Sequence, residues 1–178
     1  MNKFSKIKDI FYSGNPAYIG DNDSINEIAF LVDERYLTLE EIIIATKKEY
    51  IEMFDSATAI QNESYMAAGG GKAHIALKLL SGKYLNSRHI DVNYEHSFCG
   101  YYPDVLSLDK LIVVECGLTQ NPTKILDYFE QGNIRECIQV PYPYESENTI
   151  KGYSFKPSRH LKDFLVFFRG KKTNLSKI

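Results

Sequence analysis

The chain has 178 residues, 44% of them hydrophobic, with 13 tyrosines, 10 phenylalanines and no tryptophan. That fits one globular domain with a real core, or one domain with a large N-terminal elaboration. No run approaches the roughly 18 apolar residues of a membrane span, and the basic N-terminus lacks the apolar stretch of a signal peptide.

Three cysteines, Cys99, Cys116 and Cys137, cannot all pair and lack metal-site spacing, so a reducing, cytoplasmic interior is expected. The net charge of −2 hides an asymmetry. Residues 1–70 carry 6 basic and 12 acidic side chains, net −6, and the remainder carry 15 and 11, net +4. The acidic part reads as a solvated helical face. The basic part could meet phosphate, and Arg169, Lys171, Lys172 and Lys177 form a small basic tail that is either a nucleic-acid contact or a frayed end.

Residues 1–22 carry Gly, Pro, Asn and Asp and read as irregular. Residues 24–34 read as helix. Thr38-Leu39-Glu40-Glu41 has the form of a capping box and predicts a helix to about Phe54, with 56–68 extending it or forming a second helix. Gly69-Gly70-Gly71 is a break between an acidic helical extension (1–70) and the rest (71–178). Neither a preceding strand nor a following G-K-[ST] supports a phosphate-binding loop, so it reads as a hinge or linker.

From Lys72 to Leu80 the apolar spacing of Ala73, Ala76, Leu77 and Leu80 predicts an amphipathic helix stopped by Gly82, with His74 and Lys78 one turn apart on another face. Residues 89–96 alternate as a half-buried strand. Strands are predicted over 102–108 and 110–116. A helix follows over 122–131, with Asn121 as N-cap and Pro122 at its first position. Residues 134–140 form a further strand ended by Pro141 and Pro143. Ser158 caps a last segment to Arg169 that reads as helix, with a strand as the alternative over Phe164–Phe168.

Two acids stand out. If Asp109-Lys110 turns a two-residue hairpin, Asp104 faces Glu115 across the strands, with β-carbons about 4.5–5.5 Å apart. Two ionised acids that close repel, and a divalent cation converts the repulsion into chelation. Mg²⁺ takes one or two carboxylates with waters and phosphate oxygens, which suits phosphodiester hydrolysis. A slip of one residue would separate the acids onto opposite faces. The competing reading makes Asp104 a turn residue and Glu115 a solvated strand end. The continuous apolar run Leu111-Ile112-Val113-Val114 before Glu115 argues for a buried strand and a deliberate acid.

The order helix, three strands, helix, strand, with Pro103-Asp104 on the second strand and Glu115-Cys116-Gly117 ending the third, resembles the PD-(D/E)XK nuclease superfamily over about residues 70–143. The resemblance implies a restriction-endonuclease-like α/β core, α-β-β-β-α-β, with a mixed central sheet flanked by helices and preceded here by an N-terminal helical extension. It implies metal-dependent cleavage of DNA or, less expectedly, RNA, with Mg²⁺ or Mn²⁺ held by Asp104, Glu115 and the backbone carbonyl of Cys116. The lysine of that motif should stand at 117, where this chain has Gly117. Either activity is lost, leaving a nucleic-acid-binding or assembly protein, or another group substitutes: Lys124 first, Gln120 second. The superfamily's acid on the first helix has no direct match. His74 is a candidate catalytic residue there, beside Lys72 and Lys78, with a plain surface histidine as the alternative, and Glu63 lies upstream. Glu95, ending the first strand near His96, is a further candidate metal or phosphate ligand.

Tyr101, Tyr102, Tyr142 and Tyr144 flank strand ends, where they either pack or stack on bases. Cys116 and Cys137 read as small core residues. No pattern marks a Cys–His nucleophile or a glycosidase acid pair. The acidic helices are open to dimerisation, to capping a sheet edge or to binding a partner, so a homodimer is one expectation.

Overall fold

The computed structural model describes residues 2–13, 22–60 and 71–175. These residues form an α/β fold of six helices and one mixed six-stranded sheet, with helices on both faces. The elements are α1 (Lys3–Tyr12), α2 (Asn22–Asp33), β1 (Leu37–Thr46), α3 (Lys47–Ile60), α4 (Lys72–Ser87), β2 (Val92–Tyr94), β3 (Val105–Ser107), β4 (Ile112–Cys116), α5 (Lys124–Gln131), β5 (Glu136–Val140), β6 (Thr149–Pro157) and α6 (Leu161–Leu175).

Strand order is β1-β6-β5-β4-β3-β2. Only β4 and β5 run parallel, joined by the crossover helix α5, and every other neighbour is antiparallel. Each face carries its own core. On one, α1, α2, α5 and α6 bury Ile7, Phe11, Ile25, Leu126, Phe129 and Leu165 against Leu106, Val113 and Phe155. On the other, Leu77, Leu80 and Leu85 of α4 cover Val105, Val114, Ile138 and Ile150. Strand β4 is buried along its whole length, as expected of a central strand covered on both sides.

Several elements differ from the sequence reading. The segment read as irregular at the N-terminus contains α1, capped by the Asn2 side chain accepting from Ser5 N at 2.8 Å. Ile7, Ile10 and Phe11 give it a buried stripe that the polar punctuation masked. The helix predicted from Thr38 is instead β1 followed by α3. The capping box that operates lies eight residues on, where Thr46 N donates to Glu49 Oε2 at 2.7 Å and Glu49 N donates to Thr46 Oγ1 at 3.1 Å. Ile42 and Ile43 of the β-branched run pair with Gly152 and Lys151 of β6, a strand for which the sequence gives no signal. A bulge at Ile44 sets that side chain over Gly152, where an added β-carbon would lie 2.9 Å from Ile44 Cδ1.

Gly82 does not stop α4. The helix passes through it to Ser87, and a β-carbon there would sit 2.0 Å from the Tyr94 hydroxyl oxygen. The glycine therefore serves a close approach between helix and strand, not a terminus. Helix α5 starts at Lys124 with Thr123 at the N-cap and no side-chain cap, so Asn121 is not the N-cap. The final segment is a helix, beginning at Leu161. The Ser158 hydroxyl is buried and, among the described residues, has no hydrogen-bond partner, so it does not cap α6. Gly69, Gly70 and Glu63 lie outside the described residues.

Candidate metal centre

The β3–β4 hairpin has the register that the Asp109-Lys110 turn predicts: Val105 pairs with Val114 and Leu106 with Val113. Extended by one residue, it sets Asp104 opposite Glu115. Both carboxylates are nearly buried, Asp104 at 8% exposure and Glu115 at 3%. They line one open groove of about 910 Å³ with His74, Tyr94, Glu95, Tyr101, Tyr102, Gln120 and Lys124 among its walls.

Around Asp104 the contacts come from two elements. Its Oδ1 lies 2.9 Å from His74 Nε2 on α4, and its Oδ2 accepts from Cys116 N at 2.7 Å. The second bond ties the side chain to the end of β4. Glu95, just past β2, has φ 49 and donates its backbone N–H to the Asp104 carbonyl at 3.3 Å, which brings it alongside. One potential ligand atom each from His74, Glu95 and Asp104 lie within 4.8 Å of one another, a spacing that can hold a metal ion.

A lysine with no solvent exposure stands behind this triad. Lys78, one turn after His74 on α4, donates to Glu95 Oε1 at 2.5 Å. A fully buried ammonium is costly unless paired, and Glu95 supplies the pair.

Glu115 belongs to the α5 side of the sheet. Tyr128 OH donates to its Oε1 at 2.6 Å, and Lys124 Nζ lies 3.1 Å from its Oε2. Burial, and then the charge of Asp104, push its carboxyl up to about 7, against the opposing pull of Lys124 and the Tyr128 hydroxyl. Lys124 is thus in place beside the second acid. Gln120 sits exposed at the rim of the groove. Cys116 lines the groove beside Asp104, and its thiol is buried against Ser81 Oγ at 3.6 Å and pushed well up by that burial.

Gly117 adopts φ +76, and a β-carbon on it would fall 2.6 Å from the Tyr142 ring. A lysine at this position would meet both the left-handed backbone and the ring. The remaining tyrosines divide. Tyr101 donates to Asp127 Oδ2 at 2.5 Å and packs edge-on against Tyr128, and that hydrogen bond pushes its phenol up to about 12. Tyr102 is 70% exposed. In the proposed basic tail, Arg169 is engaged by Asp127 at 2.5 Å and by Glu130. The other three lysines of that tail have side chains outside the described residues.

The sequence points to Asp104, and separately to His74 and Glu95; their meeting at one point, with the buried Lys78 behind them, comes from the fold. The signal available was the i, i+4 spacing of His74 and Lys78 on one helix face, which aims both at the same strand ends.

Comparison with known proteins matches no family model, no curated protein and no solved structure. Among the described residues, no helix is long and apolar enough to cross a membrane.

Proposed function

We propose that the protein is a divalent-metal-dependent nuclease of the PD-(D/E)XK type, hydrolysing phosphodiester bonds in DNA or RNA. The observation that carries this reading is the convergence of His74, Glu95 and Asp104 in one groove, next to a second buried acid that already has a lysine beside it. The arrangement β2-β3-β4-β5, with an antiparallel hairpin, a crossover through α5 and a parallel last pair, supports it further.

The donor set fits a divalent ion of hard to borderline character. Two carboxylates suit Mg²⁺ or Mn²⁺, and the imidazole nitrogen of His74 shifts the balance toward Mn²⁺. A bound ion supplies charge neutralisation and a more acidic water. His74, Glu95 and Asp104 would hold it, exchanging the present His74–Asp104 hydrogen bond for coordination. Lys78 keeps Glu95 in place through its Oε1, at the wall of the groove. Lys124, held by Glu115, presents positive charge where negative charge builds up on a phosphate. It takes the part of the lysine that Gly117 cannot provide.

The test is incubation of the protein with single- and double-stranded DNA and with RNA, under Mn²⁺, Mg²⁺ or EDTA. Cleavage that needs the divalent ion and is abolished by Asp104→Ala supports the enzyme. Failure to cut any of these substrates sinks it.

One observation favours a second reading, a nuclease-like fold that binds nucleic acid or an assembly partner without cutting. The Tyr142 ring stands where a side chain at position 117 would begin. That reading expects salt-dependent DNA binding that survives Asp104→Ala.

A further inference from the structure

We infer that the groove takes single-stranded nucleic acid, with Tyr102 as the platform on which a base stacks. This rests on the nuclease reading of the same groove and adds the form of its substrate.

Three features lead there. First, Tyr102 lines the groove two residues before Asp104 and is 70% exposed. Its neighbour Tyr101 is committed to Asp127 and Tyr128. Tyr142 closes over Gly117. Tyr94, the third tyrosine of the groove wall, is half-buried with its ring against Gly82, so Tyr102 is the exposed one of the three. An aromatic face that buries little in the fold yet stands at the mouth of a polar site is matched by a ligand with a flat apolar surface, which every nucleobase has.

Second, the segment presenting it is rigid. Phe98 and Tyr101 exchange backbone hydrogen bonds of 2.8 and 3.0 Å around Cys99 and Gly100, at φ 51 and 81, a tight turn with both central residues left-handed. Phe98 stacks on Tyr128 with ring centroids 5.8 Å apart and fills the space over Gly132. Pro103 follows Tyr102 directly and is buried. A fixed platform loses little freedom when a base settles on it.

Third, the acids are recessed. Asp104 and Glu115 are at 8% and 3% exposure, below a rim that Tyr102 and Gln120 form. A scissile phosphate must enter the recess while its flanking base stays at the rim. A single strand can bend and splay to do so. Within a duplex the bases are stacked and paired, and no internal base offers its face to Tyr102 unless it is flipped out.

The experiment is fluorescence anisotropy of a short labelled oligothymidylate, the matching oligouridylate and a duplex of the same length, with Ca²⁺ as the divalent ion. Both single strands should bind more tightly than the duplex. Tyr102→Ala should weaken single-strand binding about fivefold to a hundredfold, the range for loss of one base–aromatic stack. Tyr102→Phe should bind as the parent does, and Tyr102→Leu should resemble the alanine variant. The two single strands then show whether the ribose hydroxyl matters.

Duplex binding equal to or tighter than single-strand binding overturns the inference, and so does unchanged affinity in Tyr102→Ala. Binding of none of the three overturns it as well. Cleavage under Mn²⁺ is read separately. Duplex cutting without single-strand preference leaves the nuclease reading standing and removes this one. Tyr102-dependent binding without cutting does the reverse.

Discussion

The Tyr142 ring occupies the space that a side chain at Gly117 would need, with its Cζ atom 2.6 Å from the position of a β-carbon. Gly117→Ala therefore combines a left-handed backbone penalty with overpacking and should cost about 2–4 kcal/mol in urea unfolding. Adding Tyr142→Ala should recover part of that loss, because it removes the clash and leaves only the backbone penalty. If Gly117→Ala unfolds at the parent's midpoint, the ring does not constrain the site.

Glu115 gives the protein a definite pH dependence. In the folded state its carboxyl is raised to about 7, from about 4.5 in the unfolded chain. Between those values the folded state keeps a proton that the unfolded state has released. Stability should thus fall as pH rises from about 4.5 to about 7 and change little from this source above that. Chemical denaturation at several pH values in EDTA measures the slope. Glu115→Gln, which cannot titrate, should flatten it.

Lys124→Met should separate two roles. The lysine sits 3.1 Å from Glu115 Oε2 and outside the His74–Glu95–Asp104 grouping. The variant should still bind Mn²⁺ by calorimetry while cleavage falls about 10²- to 10³-fold, the usual effect of removing one positioned charge-stabilising group. Undiminished cleavage would take the lysine's role away from Lys124.

A divalent ion should stabilise the fold. At a hundredfold excess over its Kd, an ion bound only by the native state adds about 2.7 kcal/mol, or about 5–10 °C in Tm for a chain of this size. Differential scanning fluorimetry with Mn²⁺ should show this for the parent chain and not for His74→Ala or Asp104→Ala. A shift that persists in both variants would place the ion elsewhere.

Local signals carried the stretch from α4 to β5 well, and the first part of the chain and β6 poorly. Alternation and turn chemistry located β2 to β5, and the hairpin register followed from a two-residue turn. They failed at β1 because Thr38-Leu39-Glu40-Glu41 and Thr46-Lys47-Lys48-Glu49 are both capping-box strings, and only tertiary pairing decides which one operates. Asp104 and Glu115 were legible as acids placed for a reason. The partners of Asp104 were not, because His74 and Glu95 reach it from a helix and a strand end 30 and 9 positions earlier. The φ of 49 at Glu95 that helps bring it close leaves no mark in composition.

The ladder between β1 and β6 joins segments that lie far apart in the chain: Thr38 Oγ1 donates to the Lys156 carbonyl, 118 positions away. During synthesis, β1 leaves the ribosome long before its partner exists. The Ile42–Ile44 stretch must wait with its amides unpaired until β6 has been made. Large loops must then close before these contacts form, which slows folding. In that interval the unpaired strand is open to association with other nascent chains. The last contacts of the sheet to form are therefore expected at its first strand, far in sequence from the acids of the groove.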